Sequence, residues 1–249
     1  MLFLLMAAAV GVFALAHAAP FPFLLDKMGP APSIWSMPAA PGTRVVYLTF
    51  DDGPNTAWTP KVLDVLESER AKATFFLIDR NLTEHTAPVV KRMFAEGHAV
   101  GLHSDTHGLA ALSPREVAST LTAAASRIER MAGARPCRAF RPHGGWRSRR
   151  MLAGLARIDH ALVGWGFLLW DWNWFRERTP ESILSRVLGH VSPGSIIVIH
   201  DGHHANPLAD RSYAIEATRR LIPELRARGY SFGTICDPSN GSVPGSVTR

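Results

Sequence analysis

Five short clusters in the chain carry side chains able to do chemistry. They are Asp51-Asp52-Gly53, His103-Ser-Asp-Thr-His107, Arg141-Pro-His-Gly-Gly145, Asp171-Trp-Asn-Trp174 and His200-Asp201-Gly202. Adjacent side chains of a regular strand point to opposite faces. Gly53-Pro54 bends the chain just there, so both carboxylates can face one pocket. Two carboxylates that close repel each other unless a cation intervenes. His103 and His107 stand four residues apart, which on a helical turn puts both imidazoles on one side. Two histidines and one carboxylate make a catalytic zinc set with a position open for water, whose pKa there is near 7 instead of about 16. One aspartate then ligates while the other acts as general base. Each cluster alone has an ordinary explanation. Asp-Asp-Gly is common in solvated turns, His-x3-His on helix surfaces, and His200 fits a satisfied polar residue at a strand mouth. Their joint placement decides between the two accounts.

That placement follows from the elements. Apolar, β-branched runs over 44–49, 73–78, 99–102, 138–140, 162–169, 195–199 and 230–235 read as strands. Between them lie helices over about 59–70, 87–96, 113–131, from Thr179-Pro180, and over 213–228. Thr59-Pro60 supplies an N-cap and N1 proline, and Ser113 with Glu116 a capping box. Near-continuous apolar strands alternating with helices imply an α/β fold with a parallel sheet, either an open doubly wound sheet or a small, incomplete (β/α) barrel. Each of the five clusters follows a strand, and parallel barrels carry their sites at the C-terminal strand ends. The clusters are read together as an active site.

The frame is one folded domain over 43–236 of a 249-residue chain. Apolar residues make up 47% and charged residues 19%, which excludes disorder, collagen-like and long coiled-coil architectures. The net charge of +6 suits anionic surroundings. Its Lys and Arg are scattered with no aromatic-interleaved basic stripe, so nucleic acid is not an expected partner. Residues 2–25 contain no Asp, Glu, Lys or Arg, and Ala-His-Ala-Ala at 16–19 suits signal-peptidase cleavage. Segment 1–25 is read as a signal peptide or an uncleaved signal-anchor giving membrane attachment; either places the domain outside the cytoplasm. Residues 26–42 read as a linker and 237–249 as a disordered tail. Two cysteines exclude a disulfide scaffold. Cys137 and Cys236 fall at opposite ends of two different strands, so free thiols are expected.

The order TFDDG (49–53), HSxxH (103–107), RPxxG (141–145), a DW-type segment and strand–His-Asp-Gly (200–202) resembles the polysaccharide deacetylases, carbohydrate esterase family 4. The resemblance runs roughly from Tyr47 to Phe232. It implies a distorted, incomplete (β/α) barrel and metal-dependent hydrolysis of N-acetyl groups on amino sugars of peptidoglycan or chitin type, sometimes of O-acetyl groups on xylan. Carried over by motif, Asp51 is the base, and Asp52, His103 and His107 are ligands of a divalent metal, Zn2+ first and Co2+ next. Arg141 orients the base, and His200 is the general acid. An N-acetylated polysaccharide is the expected partner of a monomer.

Two departures stand out. The family's Arg-Pro-Pro-Tyr-Gly is here Arg-Pro-His143-Gly144-Gly145. The backbone N–H that serves the oxyanion falls on Gly144, and Trp146 is the candidate replacement for the lost aromatic wall. Either Asp171 or Asn173 fills the fourth motif. Asp171 is preferred because a carboxylate raises the basicity of His200 and fixes its tautomer. Trp165, Trp170, Trp172 and Trp174 are further candidates to stack on sugar rings, while His203 and His204 read as solvated loop residues. Three rival functions remain at this level: an O-acetyl esterase, a deacylase of a lipid-linked sugar, and a non-catalytic carbohydrate-binding relic.

Overall fold

Short apolar strands joined by capped helices build one curled sheet in a computed structural model. The structure describes residues 1–18, 33–166, 171, 178–206, 209–237 and 239–244. The strands are β1 (Ser33–Ile34), β2 (Val45–Gly53), β3 (Ala73–Ile78), β4 (Ala99–His103), β5 (Ala139–Arg141), β6 (Ala161–Val163), β7 (Ile196–His200) and β8 (Ser231–Phe232). The helices are α1 (Leu2–Ala18), α2 (Thr59–Ser68), α3 (Ala87–Ala95), α4 (Pro114–Ala132), α5 (Arg149–Arg157), α6 (Pro180–His190) and α7 (Ser212–Ala227). Strand order is β1-β6-β5-β4-β3-β2-β7, with β8 added beside β2. Every strand pairing is parallel. The fold is thus α/β.

The curl has two cores. Outward-facing Phe50, Phe75, Leu77, Leu102 and Phe140 pack with helix residues such as Val62, Leu66, Leu121 and Leu221. The inner core is narrower and uses small residues, Ala99, Ala139 and Ala161 among them, around Phe76. At Gly101 a Cβ would come 2.8 Å from the Phe76 ring, so the lining admits no side chain there. The sheet bends until its two ends meet without forming a full ladder. Ser36 bridges Ser195, Met37 N–H donates to Gly194 O at 2.9 Å, and Gly166 N–H donates to Ile196 O at 3.0 Å. This is the distorted, incomplete barrel that the strand pattern and the resemblance imply.

The helix over 113–131 is opened by the expected Ser113–Glu116 capping box. Several other expectations need adjustment. The stretch read as linker contributes β1 from Ser33, and Met37 is 4% exposed. The strand expected over 162–169 ends at Val163. A Cβ at Gly164 would collide with the Trp35 ring, and residues 167–169 lie outside the described residues, as do 19–32 and 245–249. Helix α5 was not anticipated; Ser148 caps it by accepting from Met151 N–H at 3.1 Å. Residues 239–244 stay on the fold. Asp237 N–H donates to Ser242 O, Arg138 N–H donates to Gly241 O, and Val243 is buried.

The expectation of free thiols is wrong. Strand β8 stops at Phe232. The chain then crosses beneath the sheet, where Ile235 N–H donates to Thr74 Oγ1 at 2.9 Å. It reaches the N-terminal end of β5, and Cys137 and Cys236 form a disulfide across a 6.1 Å Cα separation. Both sulfurs sit at the end of the sheet opposite the five clusters. This cross-link spans 99 residues of sequence. Closing a loop of that length restricts the unfolded chain, so Cys137→Ser with Cys236→Ser should lower unfolding free energy by about 2–5 kcal/mol. Denaturant titration measures that loss, and catalysis at the far end should be little changed.

Candidate active site

The site is built on a bulge. Strand β2 pairs Asp51 with Phe76 and Gly53 with Leu77 of β3, leaving Asp52 as the extra residue. Asp52 takes φ 72°, a left-handed conformation that costs a non-glycine residue about 1–2 kcal/mol. The extra residue breaks the strand's alternation, which is how two successive carboxylates reach one pocket. Its neighbours hold it there. Asn81 Nδ2 donates to Asp52 O at 3.0 Å, and His204 N–H donates to Asp52 Oδ2 at 3.2 Å. Gly202 passes so close that a Cβ would lie 2.3 Å from Asp52 O.

Asp51 is 2% exposed and Arg141 is fully buried. The Arg141 guanidinium donates to Asp51 Oδ1 at 2.6 Å and to Thr49 Oγ1 at 2.8 Å. It also reaches Val163 O and Gly164 O, at 3.3 and 3.0 Å, and lies 4.1 Å over the Phe76 ring. The carbonyl of the same residue accepts from His103 Nδ1 at 2.7 Å. A carbonyl can only accept, so Nδ1 carries the proton and a neutral His103 turns the Nε2 lone pair outward. That lone pair faces Asp52 Oδ1 at 3.4 Å. Asp52 Oδ1 is buried without a hydrogen-bond partner. Two acceptors facing each other fit a cation between them, as metal-ligating His residues fixed by a backbone carbonyl usually do. Burial pushes the Asp52 carboxyl up, but the positive charge that the neighbouring histidines carry at acid pH outweighs it and holds it well below the usual carboxylate range.

His107 does not share a helical turn with His103. His103 ends β4, and His107 opens a separate 3-10 turn, His107–Ala111, after Thr106 caps it. Its ring lies 4.8 Å from that of His143 and 5.8 Å from that of Trp146. The donors that lie within 4.8 Å of one another belong to Asp52, His103 and His143. Composition and spacing gave no role to His143. Its signal was the departure from the family's third motif. Burial, with His103 and His204 adding to it, lowers its pKa to about 4, so its ring is neutral at pH 7. Gly144 and Gly145 follow at φ 59° and 73°, a turn closed by the Gly145 and Trp146 amides that does not use the Gly144 N–H. Trp146 is 48% exposed beside it.

On the other flank, Asp171 Oδ1 lies 2.9 Å from His200 Nδ1, while Asp171 Oδ2 accepts His200 N–H at 2.8 Å. Burial opposes charge on His200, but Asp171, then Asp52 and Asp51, push its pKa up to about 9. Tyr213 Oη donates to Asp171 O at 2.9 Å. Arg211 donates to that hydroxyl and, through Nε at 2.6 Å, to Gly202 O. Asn173, Trp170, Trp172 and Trp174 lie outside the described residues. Asp201, which follows His200, is fully buried below the site. Thr59 Oγ1 donates to it, and burial, reinforced by Asp52 and Asp51, pushes its carboxyl up to about 7.

Two outcomes follow from these pairs. Arg141→Ala strands the buried Asp51 carboxylate and should cost about 3–5 kcal/mol in a denaturant titration. Asp171→Asn removes the largest source of positive charge retention on His200. The protonated His200 of the parent persists until pH rises through about 9. In the variant it should be lost nearer the ordinary value of about 6.5, so any rate that needs it falls about tenfold or more at pH 8. A pH–rate profile reads the difference.

Comparison with known proteins places this arrangement. The family profile described as polysaccharide deacetylase matches residues 39–163. A chitooligosaccharide deacetylase of Bradyrhizobium sp. (strain ANU 289) is 38% identical over 199 residues, which covers 77% of this chain and 89% of that protein. Among solved structures, a peptidoglycan N-acetylglucosamine deacetylase superposes with a TM-score of 0.73 at 30% identity, covering 85% of this chain and 93% of the other. A family 4 acetyl xylan esterase from Clostridium thermocellum, solved with a cobalt ion, gives a TM-score of 0.68 at 31% identity, covering 83% of this chain and all of that one.

Proposed function

The chain belongs to the polysaccharide deacetylase family and is a hydrolase of that class, and on this basis we propose that it removes N-acetyl groups from amino-sugar polysaccharide of peptidoglycan or chitin type. The observation that carries the proposal is the pairing of Asp51 with Arg141 on one flank of Asp52 and His103, and of His200 with Asp171 on the other. A base and an acid are thus held across one mouth.

Asp52, His103 and, by the family pattern, His107 would hold a divalent cation, Zn2+ or Co2+. When bound, that ion supplies a Lewis acid for the acyl oxygen and lowers the pKa of water. Arg141 occupies Asp51 Oδ1, leaving Oδ2 to take the proton of the attacking water. The Gly144 N–H takes charge developing on the acyl oxygen. His200 keeps Nδ1 on Asp171 and gives a proton from Nε2 to the departing sugar nitrogen. The exposed Trp146 ring offers a stacking face for a sugar. The domain works as a monomer outside the cytoplasm. The disulfide suits an oxidising compartment, and the uncharged segment 1–25 suits export. Phe3, Leu4 and Leu5 of its helix are exposed. Among the described residues no helix is long and apolar enough to cross a membrane.

Acetate release from N-acetylglucosamine oligomers tests the reading. Chelation should abolish it and Zn2+ should restore it. Asp51→Asn and His200→Ala should each lower kcat by about 10²–10⁴ with metal content unchanged. The similarity to an acetyl xylan esterase favours one second reading, hydrolysis of O-acetyl esters. Turnover of acetylated xylan without release from the amide substrate would select it. Turnover of neither, with sugar or lipid-linked sugar still bound by the metal-loaded protein, would overturn both.

A further inference from the structure

We propose that His143 is a ligand of the divalent cation, in the place where the family's third motif carries proline. The inference rests on the metal-dependent reading above and concerns a residue outside the family's ligand set. Four observations support it. First, a donor atom of His143 lies within 4.8 Å of donors on both Asp52 and His103. The bonds of a zinc ion to His nitrogen and carboxylate oxygen are about 2.0–2.2 Å, so donors sharing it stand close to that span. Second, the backbone is fixed where it must be: His143 N–H donates to Ser104 Oγ at 2.9 Å, one residue beyond His103. Third, the ring is enclosed by imidazoles, 4.5 Å from His204, 4.8 Å from His107 and 6.2 Å from His103. No hydrogen bond engages its nitrogens among the described residues.

Fourth, the residue after His143 also departs from the family pattern, glycine standing where the family carries tyrosine. Gly144 has φ 59°, where a side chain is strained, and a Cβ there would lie 3.3 Å from His107 Nε2 and 3.1 Å from Trp146 Cδ1. The tyrosine of the family pattern would therefore be strained at Gly144 while pressing on His107. Histidine followed by two left-handed glycines acts as a unit that brings an extra nitrogen donor to the cation and clears room for it.

The test is metal affinity measured apart from turnover. The full chain is stripped of metal and titrated with Zn2+ against a chromogenic chelator, and with Co2+ while its visible absorption is recorded. His143→Ala should weaken both ions by about 10–100-fold or more and alter the position and intensity of the cobalt bands. His143→Asn should weaken them similarly, and unfolding of either stripped variant should match that of the stripped parent. An unchanged affinity and cobalt spectrum in both variants overturns the proposal. So does a second equivalent of metal that is lost in the variants while the first keeps its affinity and spectrum. Because binding is read directly, absent acetate release with this pattern intact would count against the proposed reaction and not against His143.

Discussion

A fully buried arginine is the constraint on which this site depends. Arg141, on β5, is reached from three other strands: Thr49 and Asp51 on β2, His103 on β4 through the Arg141 carbonyl, and the end of β6 through Val163 and Gly164. Removing a guanidinium from water is costly, and it is offset only where its donors are matched and a carboxylate lies alongside. Here the matching partners are spread around the curl. The curvature of the sheet and the ionisation of the site are therefore one problem with one solution. The narrow inner core serves the same end, because small residues at 99, 101, 139 and 161 let the strands close in until the Arg141 side chain reaches both β2 and the end of β6.

The second dependence is local strain. Asp52 is held left-handed by a bulge, by Asn81 and by the close passage of Gly202. Strain of this kind persists where its surroundings over-determine it, and it is concentrated at functional sites. It gives the strand two neighbouring carboxylates with different partners. Asp51 is held by an arginine. One oxygen of Asp52 accepts a backbone N–H of the His203-His204 loop, and the other faces His103. Adjacent residues of the same type thereby acquire different chemistry.

Much of this was legible in the residues. Apolar runs separated by capped helices imply the parallel sheet, and the rule that sites sit at C-terminal strand ends brings Asp51, Asp52, His103, Arg141 and His200 together. Asp171 was favoured by the tautomer it imposes on His200, and its carboxylate contacts that ring. The rest depended on geometry that no local pattern encodes. The bulge at Asp52 is a register shift between two strands, where the sequence pointed only to a bend at Gly53-Pro54. Four-residue spacing suggested a helical turn for His103 and His107, but His103 belongs to the sheet, so periodicity did not apply. The Cys137–Cys236 bond arises because β8 is short and the chain crosses under the sheet, a long-range path that apolar composition extended into a longer strand. His143 was visible only as a departure from an expected motif.

The same crossing shapes the traffic of the molecule. Ile235, the disulfide and Val243 pack into the inner core at the N-terminal end of the strands. That end of the curl is plugged with apolar side chains and is not a second entrance. Whatever enters at the C-terminal mouth must leave by it, so nothing can be threaded through the barrel.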